Sequence, residues 1–206
     1  MAKLVAILGE KGGTGKSTVA HLVGHGAGSL PHAIDAAVIT TDPGDVIVTG
    51  SRRYLPVDGR DPQALATTLA GLDAQERLLI VLDGAAARPQ VDDLAAELAD
   101  LILLPFAPSY QDAARTLRDL ERLPKALALP NRWPTHPAVA ERASRFLEMV
   151  PADKRLAPLQ GLPRVDELLD SSAYARLATA LSKPAQRLVL EVLHRMGVHP
   201  LDLAAI

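Results

Sequence analysis

Apolar residues in this chain gather in short unbroken runs, separated by stretches where they recur every three or four positions. The runs lie at 3–8, 36–41, 78–83, 100–105 and 125–130, with a weaker one near 155–158. Their length suits strands, and their lack of polar alternation suits strands buried on both faces. The helical period predicts helices over 16–27, 62–72, 90–99, 110–123, 136–149, 165–170, 172–181 and 183–196. Turns containing Pro or Gly separate these elements, and none is long enough to link two domains. Strands alternating with helices predict the α/β class: a mostly parallel sheet flanked by helices on both faces. A chain of 206 residues suits one domain, 1–206.

Ligands of such sheets meet the carboxyl ends of the strands, so the residues just after each run are informative. The first run opens into Gly9-Glu-Lys-Gly-Gly-Thr-Gly-Lys-Ser-Thr18. A strand feeding a glycine-rich turn and then a helix start aims backbone N–H groups and a helix dipole at one point, which suits phosphate. Gly12, Gly13 and Gly15 let the backbone approach the ligand. Lys16 reaches the β/γ-phosphates of a nucleotide, and the Ser17 hydroxyl is a Mg²⁺ ligand. The fold expected is therefore a single-domain P-loop NTPase. The third run ends in Asp83, placed to hold Mg²⁺ through a bound water. The second ends in Thr40-Thr-Asp42-Pro-Gly44, which is also a strong turn signal.

The loop departs from the common G-x-x-x-x-G-K-[ST] pattern. Glu10 replaces the first glycine, and a second lysine, Lys11, precedes the glycines. The run K-G-G-T-G-K-S-T resembles the deviant phosphate loop of the ParA/MinD family of ATPases, most closely its short plasmid-type members. The segment Ala99-Asp-Leu-Ile-Leu-Leu-Pro-Phe-Ala-Pro-Ser109 resembles a second family motif. The resemblance covers residues 3 to about 132 and fades beyond. It implies a slow, partner-stimulated ATPase using ATP and Mg²⁺ at a site that includes Thr14 and Thr18. Lys11 is then expected to contact the nucleotide of a partner subunit in an ATP-dependent homodimer. Asp42 is expected to orient the attacking water near the metal. Pro105 and Asn131 fall where relatives receive the adenine. Two departures bear on hydrolysis: Thr40 and Gly44 stand where the family has its first aspartate and, often, Gln. The second switch reads Asp83-Gly-Ala-Ala86.

Charge adds a partner to this picture. The net charge is −2, yet residues 1–105 carry 8 basic and 13 acidic side chains and residues 106–206 carry 14 and 11. Arg115, Arg118 and Arg122 share one helical face, and Lys183 and Arg187 come near the end of the chain. Family resemblance makes these the candidates for binding DNA without sequence preference, with a ParB-like or other adaptor stimulating turnover. The phosphate loop begins so early that no operator-binding segment is expected ahead of it.

Other features narrow the reading. With no cysteine there is neither a thiolate metal site nor a cysteine nucleophile for amide transfer. No apolar run approaches the roughly 20 residues needed to span a bilayer, so a cytoplasmic, nucleoid-associated protein without membrane attachment is expected. His21 and His25, four apart on one helix, read as a packed or surface pair without metal. The amphipathic segment 185–196 reads as a core-packing helix. Two alternatives stay open: a metabolic ligase of the same fold, of the dethiobiotin or cobyrinate-amidating type, and a scaffold that binds ATP without hydrolysing it.

Overall fold

The computed structural model describes residues 2–45, 47, 52–85, 89–170 and 179–203. In chain order the elements are β1 (Lys3–Ile7), α1 (Lys16–Ala27), β2 (Asp35–Thr40), β3 (Leu55–Asp58), α2 (Pro62–Asp73), β4 (Leu78–Asp83) and α3 (Pro89–Leu98). Next come β5 (Leu101–Phe106), α4 (Tyr110–Arg122), β6 (Ala126–Pro130), α5 (Pro137–Glu148), α6 (Thr179–Arg195) and α7 (Pro200–Leu203). The six strands form one parallel sheet in the order β3-β2-β4-β1-β5-β6.

The unbroken apolar runs reflect burial on both sides. Val5 and Ile7 of β1, Val81 of β4 and Leu103 of β5 face α1 and α6, where they meet Val19, Leu22, Val189 and Val192. Their neighbours Leu4, Ala6, Leu82 and Ile102 face α2, α3 and α4, against Leu65, Leu69, Val91 and Leu123. Positions in the middle of the central strands are thus apolar whichever way they point. Buried aliphatic area of this kind contributes roughly 25 cal/mol per Å² and holds the strand ends rigid beneath the loops they carry.

Three expectations change. β3 escapes sequence reading because Pro56 interrupts a short run whose Leu55 is exposed; proline is tolerated there because β3 is an edge strand. The weak run near 155–158 makes only a single bridge, Ala128 with Arg155, plus a hydrogen bond from Leu156 N to Ala128 O. The predicted helix 165–170 is one 3₁₀ turn, Val165–Leu168, entered through Arg164 in the left-handed region. Most of the predicted helix 172–181 lies outside the described residues, and α6 begins at Thr179.

Candidate phosphate-binding site

Strand register brings the site together. Asp83, the last residue of β4, pairs with Ile7 of β1 on one side and Thr40 of β2 on the other. The three strands therefore end level, with the glycine-rich loop leaving β1 beside the Asp83 carboxylate. Gly84 closes the corner: its N–H donates to Ile7 O at 3.0 Å, and a Cβ there would stand 2.7 Å from the same oxygen. Thr41 stitches the next strand end to it, its hydroxyl donating to Asp83 O and accepting from Ala85 N. Ala86 of the expected second switch lies outside the described residues.

Gly15, at φ 92°, ends the loop and serves as the N-cap of α1. Having no side chain, it leaves the first-turn N–H groups of the helix for a ligand. Gly12, Gly13, Gly15, Lys16, Ser17 and Thr18 line an open pocket of about 210 Å³ together with Asp42, Asp45, Gly84 and Arg132. Lys16 is buried and donates to Lys11 O at 3.1 Å. Burial pushes its ammonium pKa down, against the pull of Asp83, Asp92, Asp42 and Asp45.

The carboxylates are more numerous than the sequence suggested. Asp83 is 1% exposed, and neither of its oxygens has a hydrogen-bond partner among the described residues. Burial raises its pKa to about 7; the nearby Ser17 hydroxyl and Lys16 pull it down, while Asp45 and Asp42 add to the rise. The Ser17 hydrogen bond itself goes to Asp45 Oδ2 at 2.9 Å. Asp92, in the first turn of α3, is also buried, with Oδ1 unpartnered and its pKa raised to about 6 by that burial. Sequence reading missed Asp45 and Asp92. An acid in a first helical turn reads as dipole complement, and nothing local to Asp92 shows that it points toward Gly84. Asp42 is half-buried, and its Oδ1 accepts from Gly44 N at 2.9 Å, the turn bond expected of Asp-Pro-Gly. Buried, unpartnered Asp83 oxygens beside a hydroxyl are conditions that a divalent cation or its bound water would relieve.

Asn131 has a role its sequence context did not show. It is 4% exposed, and its amide donates to Thr14 O at 2.8 Å while its Oδ1 accepts from Arg132 N at 2.9 Å. It pins the phosphate loop from below, so close that a Cβ on Gly15 would sit 2.4 Å from Nδ2. Pro105 faces away from the phosphate pocket. It lines a small cavity of about 20 Å³ behind the loop, with Lys11, Thr14, Asp112 and Arg115. On that side Lys11 Nζ forms an ion pair with Asp112 Oδ1.

The other candidates are dispersed. Arg118 is exposed, whereas Arg122 pairs with Asp93 at 3.6 Å and Asp119 at 3.8 Å. Lys183 and Arg187 border a separate cavity of about 320 Å³ between residues 157–162 and α6. His21 and His25 pack in the interior around Tyr54: His21 Nδ1 lies 2.6 Å from the Tyr54 hydroxyl, and the His25 ring meets Tyr54 edge-on. Among the described residues no group of three or more side chains could hold a metal through His, Cys, Asp or Glu. The terminal segment packs as expected, with Ala185, Leu188, Val189, Val192 and Leu193 of α6 buried. Among the described residues no helix is long and apolar enough to cross a membrane.

No protein-family model matches the chain, and no curated protein matches its sequence. Solved structures do match it. McdA of Cyanothece, in its apo form, superposes with a TM-score of 0.67 at 17% identity, over 94% of this chain and 100% of that one. The cell division ATPase MinD of Pyrococcus furiosus gives 0.65 at 20% identity, over 94% and 99%. Cobyrinic acid a,c-diamide synthase of Mycobacterium smegmatis, with a bound ATP analog and magnesium, gives 0.59 at 17% identity, over 94% and 95%. At these identities the likeness establishes architecture. The chain has the fold of the ParA/MinD-type P-loop ATPases.

Proposed function

We propose that residues 1–206 act as one ParA/MinD-type ATPase domain. It binds ATP with Mg²⁺, dimerises in that state, and positions DNA or another large cargo through adaptor-stimulated hydrolysis. The observation that carries this reading is the convergence of Lys16, Ser17 and the unpartnered Asp83 beside the open N-terminus of α1. Magnesium bound there would supply charge neutralisation for the transferred phosphoryl group. The chain's own residues do the rest. First-turn N–H groups and Lys16 receive phosphate oxygens, Lys16 exchanging Lys11 O for them. Ser17 and Asp83 hold the cation, Asp83 through water. Asp42 orients the attacking water once its turn bond to Gly44 opens. Lys11, exposed on the far side of the loop, leaves Asp112 for the partner's nucleotide, which makes dimerisation depend on ATP. Arg115, Arg118, Arg122, Lys183 and Arg187 remain the candidates for sequence-independent DNA contact, with nucleoid association as its consequence.

The test is a DNA titration with ATP·Mg²⁺, ADP or no nucleotide, on wild type and Lys11→Ala in parallel. ATP-dependent binding that the variant loses, and that weakens by about 0.9 log units per phosphate contact for each tenfold rise in salt, supports the reading. Protein that neither dimerises nor gains DNA affinity with ATP contradicts it. The likeness to cobyrinic acid a,c-diamide synthase motivates a second reading as a metabolic ligase. Turnover of a carboxylate with ammonia and ATP, indifferent to DNA, would favour that one.

A further inference from the structure

We propose that Arg132 is a phosphate-contacting residue supplied in cis, facing the phosphate loop from the end of β6. The inference rests on the nucleotide-binding reading above and adds a residue to it. Among the described residues lining the phosphate pocket, the cations are Lys16 and Arg132 and the anions are Asp42 and Asp45. A polyphosphate entering that space meets a lining with no excess positive charge even when both cations count. Removing Arg132 would leave it net negative. The guanidinium is also in the right place: a Cβ on Gly15 would stand 3.9 Å from Arg132 Nε, so the group lies over the turn that opens α1.

The backbone holds it there. Asn131 joins Thr14 O to Arg132 N, so a single buried side chain fixes both the loop and the root of the arginine. Arg132 adopts φ 54°, a left-handed conformation unfavourable to a residue with a Cβ. Arg77 and Arg164 share that conformation but do not line the pocket, so position rather than dihedral singles out Arg132. Glycine or asparagine would occupy the site with less strain, and an arginine there trades local stability for a planar, permanently charged fork suited to phosphate. Arg132 is itself exposed, free to settle on the ligand from the solvent side.

This predicts effects of opposite sign. Isothermal titration of Mg·ATP, ADP and AMP into wild type, Arg132→Gly, Arg132→Asn and Arg132→Lys is the experiment, with thermal melts of each apo protein. The Gly and Asn variants should melt at or above wild type yet bind Mg·ATP about tenfold more weakly, as expected for a lost charge-assisted contact. The loss should be smaller for ADP and absent for AMP, and Arg132→Lys, which returns the charge without the fork, should recover binding only in part. An equal loss for all three nucleotides would assign the residue to the base instead and overturn the proposal. So would unchanged ATP affinity, or lowered melting together with lowered affinity. Wild type that binds no ATP would sink the parent reading; wild type that binds with indifferent variants sinks this inference alone.

Discussion

Lys11 Nζ lies 2.7 Å from Asp112 Oδ1, joining the leading edge of the phosphate loop to the first turn of α4. The two ends of the pair are unequal: the lysine is 43% exposed and the carboxylate 3%. Pulling Lys11 away strands a buried charge, so the pair opposes any conformation in which Lys11 reaches a second subunit. Asp112→Asn keeps the shape and removes the charge. It should lower the ATP concentration needed for dimerisation by about five- to tenfold, a shift near 1 kcal/mol. Sedimentation velocity across an ATP series measures it, and an unchanged or higher threshold would show that the pair does not restrain Lys11.

Gly15 and Asn131 form a second coupled pair. Gly15→Ala meets two separate penalties: φ 92°, and Asn131 Nδ2 at 2.4 Å from the new methyl. The single variant should lose about 2–3 kcal/mol of stability. Asn131→Ala costs stability of its own by removing two hydrogen bonds, but in the double variant it also removes the clash, so the combined loss should fall short of the sum of the two single losses by about 1 kcal/mol. Additive losses in urea denaturation would mean the two residues are not in contact.

How far the sequence reached depends on which features are local. β1, β4 and β5 and the glycine loop are written in consecutive residues, and they form where expected. β3 is not legible in the sequence because its identity comes from pairing at the edge of the sheet, with Pro56 arguing the other way. Asp45 and Asp92 look ordinary in sequence; Asp45 stands out only because it accepts from Ser17, and Asp92 only because it is buried beside Gly84. Asn131 points toward a base only through the family resemblance, which places it where relatives receive the adenine. That its amide grips Thr14 depends on an approach between residues 117 positions apart, which no local pattern records.

Asp83 carries strain that a cation should release. Its folded pKa near 7 exceeds the ordinary 3.8, so the charged form is disfavoured and apo stability falls as pH rises from about 4 through 7. Asp83→Asn should therefore raise apo melting at pH 8 while abolishing the extra stabilisation that Mg²⁺ adds to ATP. In wild type, EDTA should reduce ATP-induced stabilisation to the variant's level. A variant less stable than wild type without ligand would rule out the strained carboxylate.

Asp42 can be tested apart from its turn. Asp42→Asn keeps an oxygen for Gly44 N, whereas Asp42→Ala does not. If the carboxylate orients water, both should cut adaptor-stimulated hydrolysis at least about tenfold, with ATP-induced dimerisation intact. Loss in the alanine variant alone would reduce Asp42 to a turn residue, and an unchanged rate in both would favour a scaffold that does not hydrolyse ATP.

His25 should govern acid stability. Its ring is fully buried in α1, with both nitrogens unpartnered among the described residues. Burial, aided by Arg52, His21 and Arg53, lowers its pKa from 6.5 to about 3; burial and Arg52 lower that of His21 to about 4. Between pH 6.5 and those values the unfolded chain holds protons that the fold excludes, so each histidine reduces stability as pH falls. Asp83 and Asp92 act oppositely: their raised values, about 7 and 6, make the fold the better proton binder above pH 4. The two effects offset, and wild type should show a shallow profile between pH 4 and 6.5. His25→Leu removes one side of that balance and a buried polar ring with it. Relative to wild type it should gain about 1.4 kcal/mol for each pH unit below 6.5, and melt no lower at pH 8. Urea unfolding at half-unit steps from pH 4 to 8 reads the slope directly; parallel curves for the two proteins would show that His25 is not excluded from protonation by the fold.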